Sequence, residues 1–130
     1  MINFTPSEIR SGITGPVFPI LTPFKENGAV DHPALQNYVE FLIASGAKTM
    51  LTTVGTSRFN LLSDIEIMEV NKTFSSVSSP NTIKIAAGPM TGDLKTNIEF
   101  AQHAEQHGAD AYIAFFPERW YGVEAILDFF

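Results

Sequence analysis

One short loop combines residue types that could bind an anion. It consists of Gly55, Thr56, Ser57 and Arg58, and it lies between an apolar stretch and a helix signal at Ser63. Backbone amides in a loop before a helix commonly hold carboxylates and phosphates, and an arginine can pair with them. The alternatives are an ordinary turn of small residues and a solvated Arg58.

A second pattern has the spacing of a metal site. His103 and His107 are four residues apart, with Glu99 one helical turn earlier. Two histidines at this spacing on a helix can share a zinc ion. Both fall away from the apolar stripe that we expect for their helix, which favours solvated side chains. We therefore predict no metal site.

Composition narrows the class of protein. The 130 residues are 45% hydrophobic and 17% charged, with a net charge of −6 and no cysteine. The acidic balance disfavours nucleic acids and anionic membranes as partners, and the lack of cysteine excludes disulfides and thiolate sites. No apolar run reaches the ~18 residues of a membrane span, and the polar start does not resemble a signal peptide. We expect a cytoplasmic protein.

Four short apolar stretches predict the strands of the scaffold that carries the loop and the histidines. They cover residues 17–21, 49–54, 83–87 and 111–116, and they are typical of buried parallel strands. Helical patterns lie between them, so strand and helix alternate as in βαβ units. Four units of ~30 residues make about half of an eight-unit barrel, although a doubly wound open sheet has the same alternation.

The helix ends carry recognisable signals. Asp31 is a predicted N-cap, and Ser63 with Glu66 forms a predicted capping box. Gly46 and Gly108 are the predicted stops of two helices. For the helix near residues 94–107, we predict an inward stripe of Leu94, Ile98, Ala101 and Ala104. A last helix begins near residue 123.

The motifs and their order resemble the dihydrodipicolinate synthase and N-acetylneuraminate lyase family. Members of that family carry Thr-Pro-Phe after the first strand, Gly-Thr-Thr-Gly-Glu after the second, Ala-Gly after the third and Gly-Ala-Asp before the fourth. The corresponding segments here are Thr22-Pro23-Phe24, residues 54–58, Ala87-Gly88 and Gly108-Ala109-Asp110. The resemblance spans about residues 12–130. It implies an α/β fold, the first half of a (β/α)8 TIM barrel. We expect residues 1–130 to form one domain, the N-terminal and apparently incomplete portion of that barrel.

The resemblance also implies a class I aldolase or lyase mechanism that needs no cofactor. Pyruvate or a related 2-oxo acid would form a Schiff base with a barrel lysine on the sixth strand, beyond residue 130. Thr56 and the neighbouring amides would hold the substrate carboxylate, with Gly55, Ser57 and Arg58 as further binding residues. The implied assembly is a homo-oligomer, a dimer or tetramer.

Several positions depart from the family pattern. Gly55 replaces one threonine of the pair, and Ser57-Arg58 replaces Gly-Glu. Relatives commonly carry Pro-Tyr-Tyr after strand four, whereas this chain has Pro117-Glu118-Arg119. Tyr121 is our candidate for the catalytic tyrosine, with packing at an interface as the alternative. These departures support a second hypothesis, a catalytically altered member that serves as a binding or regulatory protein.

Lys84 is the only lysine in the middle of a predicted strand. We expect its stem to be packed and its amine to lie near the barrel floor. The alternative is a relocated nucleophile that points into the barrel. A third hypothesis for the whole chain is a flavodoxin-like open sheet, for which residues 22–25 lack the expected phosphate loop.

Overall fold

The computed structural model describes residues 4–115 and 122–129, which fold as alternating strands and helices. The strands are β1 (Val17–Pro19), β2 (Thr49–Leu51), β3 (Ile83–Ala87) and β4 (Ala111–Ile113). The helices are α1 (Pro6–Gly12), α2 (His32–Ala44), α3 (Asp64–Ser76), α4 (Leu94–Gln106) and α5 (Val123–Phe129).

The four strands form one parallel sheet in the order β1-β2-β3-β4. Each strand pairs with the next along the chain, for example Val17 with Thr49 and Thr49 with Ile83. A doubly wound sheet needs a reversal of strand order, and these four strands contain none. The flavodoxin-like hypothesis is therefore wrong, because sequential order is the arrangement of consecutive units in a barrel.

The hydrophobic core lies between the sheet and its helices. Met50 of β2 contributes to it and is fully buried, as are Leu35 and Val39 of α2 and Val70 and Phe74 of α3. Successive strand residues point to opposite faces, so the residues flanking Met50 point to the other side of the sheet. Met50 therefore points to the helix side of the sheet.

The predicted helix caps are confirmed. The side chain of Asp31 accepts a hydrogen bond from the backbone N–H of Ala34 (3.1 Å). Ser63 and Glu66 form the reciprocal capping box, and their hydrogen bonds lower the pKa of the Glu66 carboxyl. Gly46 has φ +91°, a conformation that favours glycine at a helix end.

The predicted inward stripe of α4 is wrong for two residues. Leu94 and Ile98 are 45% and 47% exposed, whereas Asn97, Phe100 and Ala104 are buried. The large Phe100 ring and the Asn97 amide, rather than the aliphatic residues at the start of the helix, face the sheet. That amide donates to the Gly92 carbonyl (2.9 Å), so its burial leaves it with a partner.

Because α4 buries a different face from the predicted one, two histidines also have different surroundings from those expected. His103 and His107 are half-buried rather than solvated, with ring centroids 4.3 Å apart. The expectation that both face solvent is therefore wrong. Burial, followed by the neighbouring His107, lowers the pKa of His103.

Lys84 packs on the helix side of the sheet. The residue is 3% exposed, and its ammonium donates to the carbonyls of Ser75 and Val77 at the C-terminal end of α3. That end of α3 lies beside the amino ends of the strands, as expected for the barrel floor. The amine nevertheless points into the helix layer. The interpretation of Lys84 as a nucleophile inside the barrel is therefore wrong, because strand alternation places Ile83 and Ile85 on the inner face instead.

Candidate functional site

The predicted anion-binding loop follows β2 at its carboxyl end. It forms a 3₁₀ turn over Gly55–Ser57, passes through Arg58 in the left-handed region (φ +55°), and forms a second turn over Phe59–Leu61. The Ser63 capping box then begins α3. In (β/α)8 barrels, active sites are built from the loops at this end of the strands.

Thr53 determines how the loop leaves β2. It adopts φ +54°, although a β-branched residue is strongly disfavoured there. Its fully buried hydroxyl lies 2.8 Å from the carbonyl oxygen of Ala87 and 3.2 Å from the side-chain oxygen of Asn71. The Asn71 amide donates to the same Ala87 carbonyl (2.9 Å). This network ties the start of the loop to β3 and α3, and it explains why β2 ends earlier than predicted.

Ser57 ties the same loop to the end of β1. Its side chain is fully buried, and its hydroxyl donates to the Ile20 carbonyl (2.5 Å). The Thr22 hydroxyl donates in return to the Ser57 carbonyl (2.7 Å), and the Ser57 N–H donates to Val54 (2.7 Å). The predicted substrate contact of Ser57 stays a prediction. In this structure, its polar groups bind the protein itself.

Thr56 and Arg58, unlike Ser57, leave their polar groups exposed. Both are exposed, and neither side chain has a hydrogen-bond or ion-pair partner among the residues that the structure describes. They line a cavity of about 330 Å³. Gly55 is exposed beside them, with open space where a side chain would lie. The cavity is completed by Leu21, Thr22, Phe24 and Leu61.

The predicted catalytic tyrosine, Tyr121, lies outside the described residues. The two histidines of the weighed metal site do not line this cavity. His103 and His107 are on α4, and residues 4–115 and 122–129 contain no group of three histidine, aspartate or glutamate side chains that could hold a metal ion. The His107 ring nitrogen is instead 2.7 Å from the His103 carbonyl oxygen.

Sequence reasoning missed the residues that hold the loop in place. Thr53, Asn71 and Ala87 are far apart in the chain, so no local pattern connects them. One signal was present, because Asn71 shares a helical face with the apolar Ile67 and Phe74, and a buried asparagine is unfavourable unless its amide finds a partner. The apolar lining residues Leu21 and Leu61 carried no signal.

No helix among the described residues combines the length and the apolar character needed to cross a bilayer.

Comparison with known proteins identifies the family. The model of the dihydrodipicolinate synthetase family matches residues 12–123. The 4-hydroxy-tetrahydrodipicolinate synthase of Chlorobaculum parvum is 31% identical over 105 residues, which are 81% of this chain and 35% of that protein. The enzyme of the same name from Bartonella quintana is also 31% identical, with the same coverage.

Solved structures show the same fold. The dihydrodipicolinate synthase of Acinetobacter baumannii, solved in complex with pyruvate, superposes with a TM-score of 0.75 at 28% identity. The match covers 90% of this chain and 40% of that one. The synthase of Bacillus clausii gives a TM-score of 0.79 at 21% identity, which shows the fold alone, over 93% of this chain and 41% of that one.

The chain spans about a third of the length of the curated relatives that it matches. The four βα units correspond to the N-terminal half of a TIM barrel, so the predicted fold class is confirmed. From the family match and the fold together, this chain belongs to the dihydrodipicolinate synthetase family, whose matched relatives are lyases of the aldolase type.

Proposed function

We propose that this protein takes part in a cofactor-free lyase or aldolase reaction on pyruvate or a related 2-oxo acid. The observation that carries the proposal is the pair Thr56 and Arg58, which are exposed at the carboxyl end of β2 and have no side-chain partner among the described residues. A hydroxyl and a guanidinium that the fold does not use are suited to a carboxylate. The Schiff-base lysine is proposed to lie outside these 130 residues.

The loop has a defined part in such a reaction. A neutral lysine amine attacks the 2-oxo carbon and water leaves, and the resulting iminium makes the neighbouring carbon acidic. Loss of a proton from that carbon gives an enamine, which forms the new carbon–carbon bond by attacking a second carbonyl; the reverse steps break that bond. Holding the carboxylate at Thr56 and Arg58 fixes the position of the 2-oxo carbon before the attack, which reduces the entropic cost of the step. Gly55 leaves open space beside the carboxylate. The hydrogen bonds of Thr53 and Ser57 keep the loop rigid.

Family membership supports this proposal, as does the relative that was solved in complex with pyruvate. We further propose a cytoplasmic homo-oligomer, a dimer or tetramer, in which Tyr121 takes the catalytic tyrosine role. A small 2-oxo acid is the proposed ligand, with neither nucleic acid nor membrane as a partner.

A second candidate is a binding or regulatory protein that has lost catalysis. It is favoured by the departures from the family motif, since Gly55 supplies no hydroxyl and Arg58 replaces an acidic residue. In this case, the loop would still bind a 2-oxo acid without forming a covalent intermediate.

Borohydride trapping distinguishes the two candidates. A chain that continues through the remaining barrel strands is incubated with pyruvate and borohydride, and its intact mass is measured. The lyase proposal expects a reduced covalent adduct, and the Thr56→Val variant should form it less readily because one hydrogen bond to a charged group, worth about 1.5–3 kcal/mol, is lost. Thr14→Val, at an exposed threonine away from the loop, is the matched control.

The possible outcomes lead to different conclusions. A folded protein that binds pyruvate but forms no adduct would support the binding protein instead. A folded protein that neither binds pyruvate nor forms an adduct would contradict both candidates.

A further inference from the structure

We propose that the cavity beside the loop of residues 55–58 selects 2-oxo acids that carry one carboxylate and an apolar side chain. This inference rests on the proposed function and specifies its substrate class. It follows from how polar and apolar groups are distributed around the cavity.

The polar groups that are free to bind a ligand belong to the loop side of the cavity. Thr56 and Arg58 supply a hydroxyl and a guanidinium without protein partners among the described residues. The third polar lining residue, Thr22, donates its hydroxyl to the Ser57 carbonyl (2.7 Å) and is 8% exposed. The cavity therefore has one place for a carboxylate.

The remaining lining residues are large and apolar. Leu21 is 55% exposed, Phe24 is 38% exposed and Leu61 is 63% exposed. Single exposed apolar side chains are common on protein surfaces, but three that line one cavity form a patch, and such patches mark binding sites. Phe24 is held in place by its antiparallel bridge to Val30. An apolar ligand side chain would therefore meet a defined surface.

The size of the cavity and its charge agree with this substrate class. A volume of about 330 Å³ lies at the lower end of the range for small-molecule pockets, which suits a small acid. A second carboxylate on the ligand would lie against Leu21, Phe24 and Leu61, where the described residues offer no unused side-chain donor to replace its hydration. Dicarboxylates should therefore be disfavoured.

The test uses calorimetry to measure the affinity of a chain that continues through the remaining barrel strands for a series of acids. Pyruvate, 2-oxobutanoate, 2-oxopentanoate and 4-methyl-2-oxopentanoate lengthen the apolar side chain in steps. Each buried methylene should tighten binding about fourfold. 2-Oxoglutarate has the same five-carbon length as 2-oxopentanoate but a second carboxylate, and it should bind at least about tenfold more weakly than 2-oxopentanoate.

Paired variants assign the two parts of the cavity. Leu61→Ala should weaken the binding of the longer acids more than that of pyruvate, so that affinity depends less on chain length. Leu127→Ala, at an exposed leucine of α5, should leave the dependence on chain length as it is. Arg58→Gln should weaken all the acids by a similar factor, about tenfold. Arg10→Gln, at an exposed arginine of α1, is its control.

The outcomes separate this inference from the proposed function. If pyruvate binds and longer side chains bring no gain, the inference is overturned and the proposed function stands. If pentanoate and 4-methylpentanoate bind as tightly as their 2-oxo counterparts, the apolar cavity is supported and a role for the 2-oxo group is not. If none of the acids binds, both fail.

Discussion

The two ends of the sheet use their polar residues differently. At the amino ends of the strands, Lys84 is buried and its ammonium binds two carbonyls of α3, while Asp110 accepts the Lys84 backbone N–H (2.9 Å). At the carboxyl ends, Thr56 and Arg58 are exposed and have no partners within the described segments. The amino end thus uses the hydrogen bonds of its polar groups to hold the fold together, whereas the carboxyl end leaves polar side chains available for a ligand.

This difference between the two ends is not complete, because the carboxyl end also contains buried hydrogen bonds that hold the fold. Thr53 and Ser57 hold the loop through hydrogen bonds to β3 and β1. Within four residues, Ser57 is used by the fold and Thr56 and Arg58 are not. Whether a polar group has a protein partner therefore separates the two roles better than its position in the sequence.

The largest effect is expected from Lys84→Met. This change leaves the carbonyls of Ser75 and Val77 without their donor in a buried place, which should lower the free energy of unfolding by about 3 kcal/mol. Lys48→Met, at an exposed lysine just before β2, should change it by less than about 0.5 kcal/mol. Urea unfolding measures both. Equal effects on the free energy of unfolding would contradict this role of the amino end, since Lys84 would then stabilise the fold no more than a surface lysine does.

The next largest effect is expected from Asn71→Ala. It removes the amide that donates to Ala87 and the acceptor near the Thr53 hydroxyl, and it should lower the free energy of unfolding by about 2 kcal/mol. The Thr53 hydroxyl then loses its contact with Asn71, which helps to hold Thr53 in its left-handed conformation. Because the loop begins at Thr53, pyruvate affinity should also fall. Asn37→Ala, at an exposed asparagine of α2, is the control. If Asn71→Ala is destabilised but binds pyruvate with unchanged affinity, the hydrogen bonds among Thr53, Asn71 and Ala87 stabilise the fold without affecting the binding loop.

A smaller effect separates stability from binding at Arg58. Its left-handed conformation favours glycine over alanine, so Arg58→Gly should be about 1 kcal/mol more stable than Arg58→Ala in thermal or urea unfolding. Both variants should bind pyruvate more weakly than the parent chain, because both lack the guanidinium. A parent-like affinity in either variant would show that Arg58 is only a solvated loop residue.

The smallest effect is a pH dependence at the amino end. Burial lowers the pKa of the Lys84 ammonium from its ordinary value of 10.5, and the charge of Asp110 opposes this shift in part. Between the lowered pKa and 10.5, the unfolded chain binds more protons than the folded one, so stability should rise with pH in that window. Unfolding curves of the parent chain and Lys84→Met should show this rise as a parent-specific difference. A difference that falls with pH would contradict the assignment.

Some features could be predicted because their causes are local. The caps at Asp31 and Ser63 follow from side chains that reach backbone amides three residues away, and both are present. The βα alternation also followed from local patterns of apolar residues and turns. The stripe of α4 failed because the orientation of a helix depends on what it packs against, here through Phe100 and the Asn97 amide.

By itself, the sequence determined the alternation of strands and helices, the helix ends and the position of the loop of residues 55–58 between β2 and α3, because those depend on residues close together in the chain. The order of the strands, which separates a barrel from an open sheet, was decided by the tertiary structure. The tertiary structure alone decided which residues of that loop are free. Ser57 and Thr56 are neighbours with similar hydroxyls, yet one is buried against Ile20 and the other lines a cavity. The reason is physical. Whether a hydroxyl finds a protein partner depends on strands that lie more than thirty residues away in the chain.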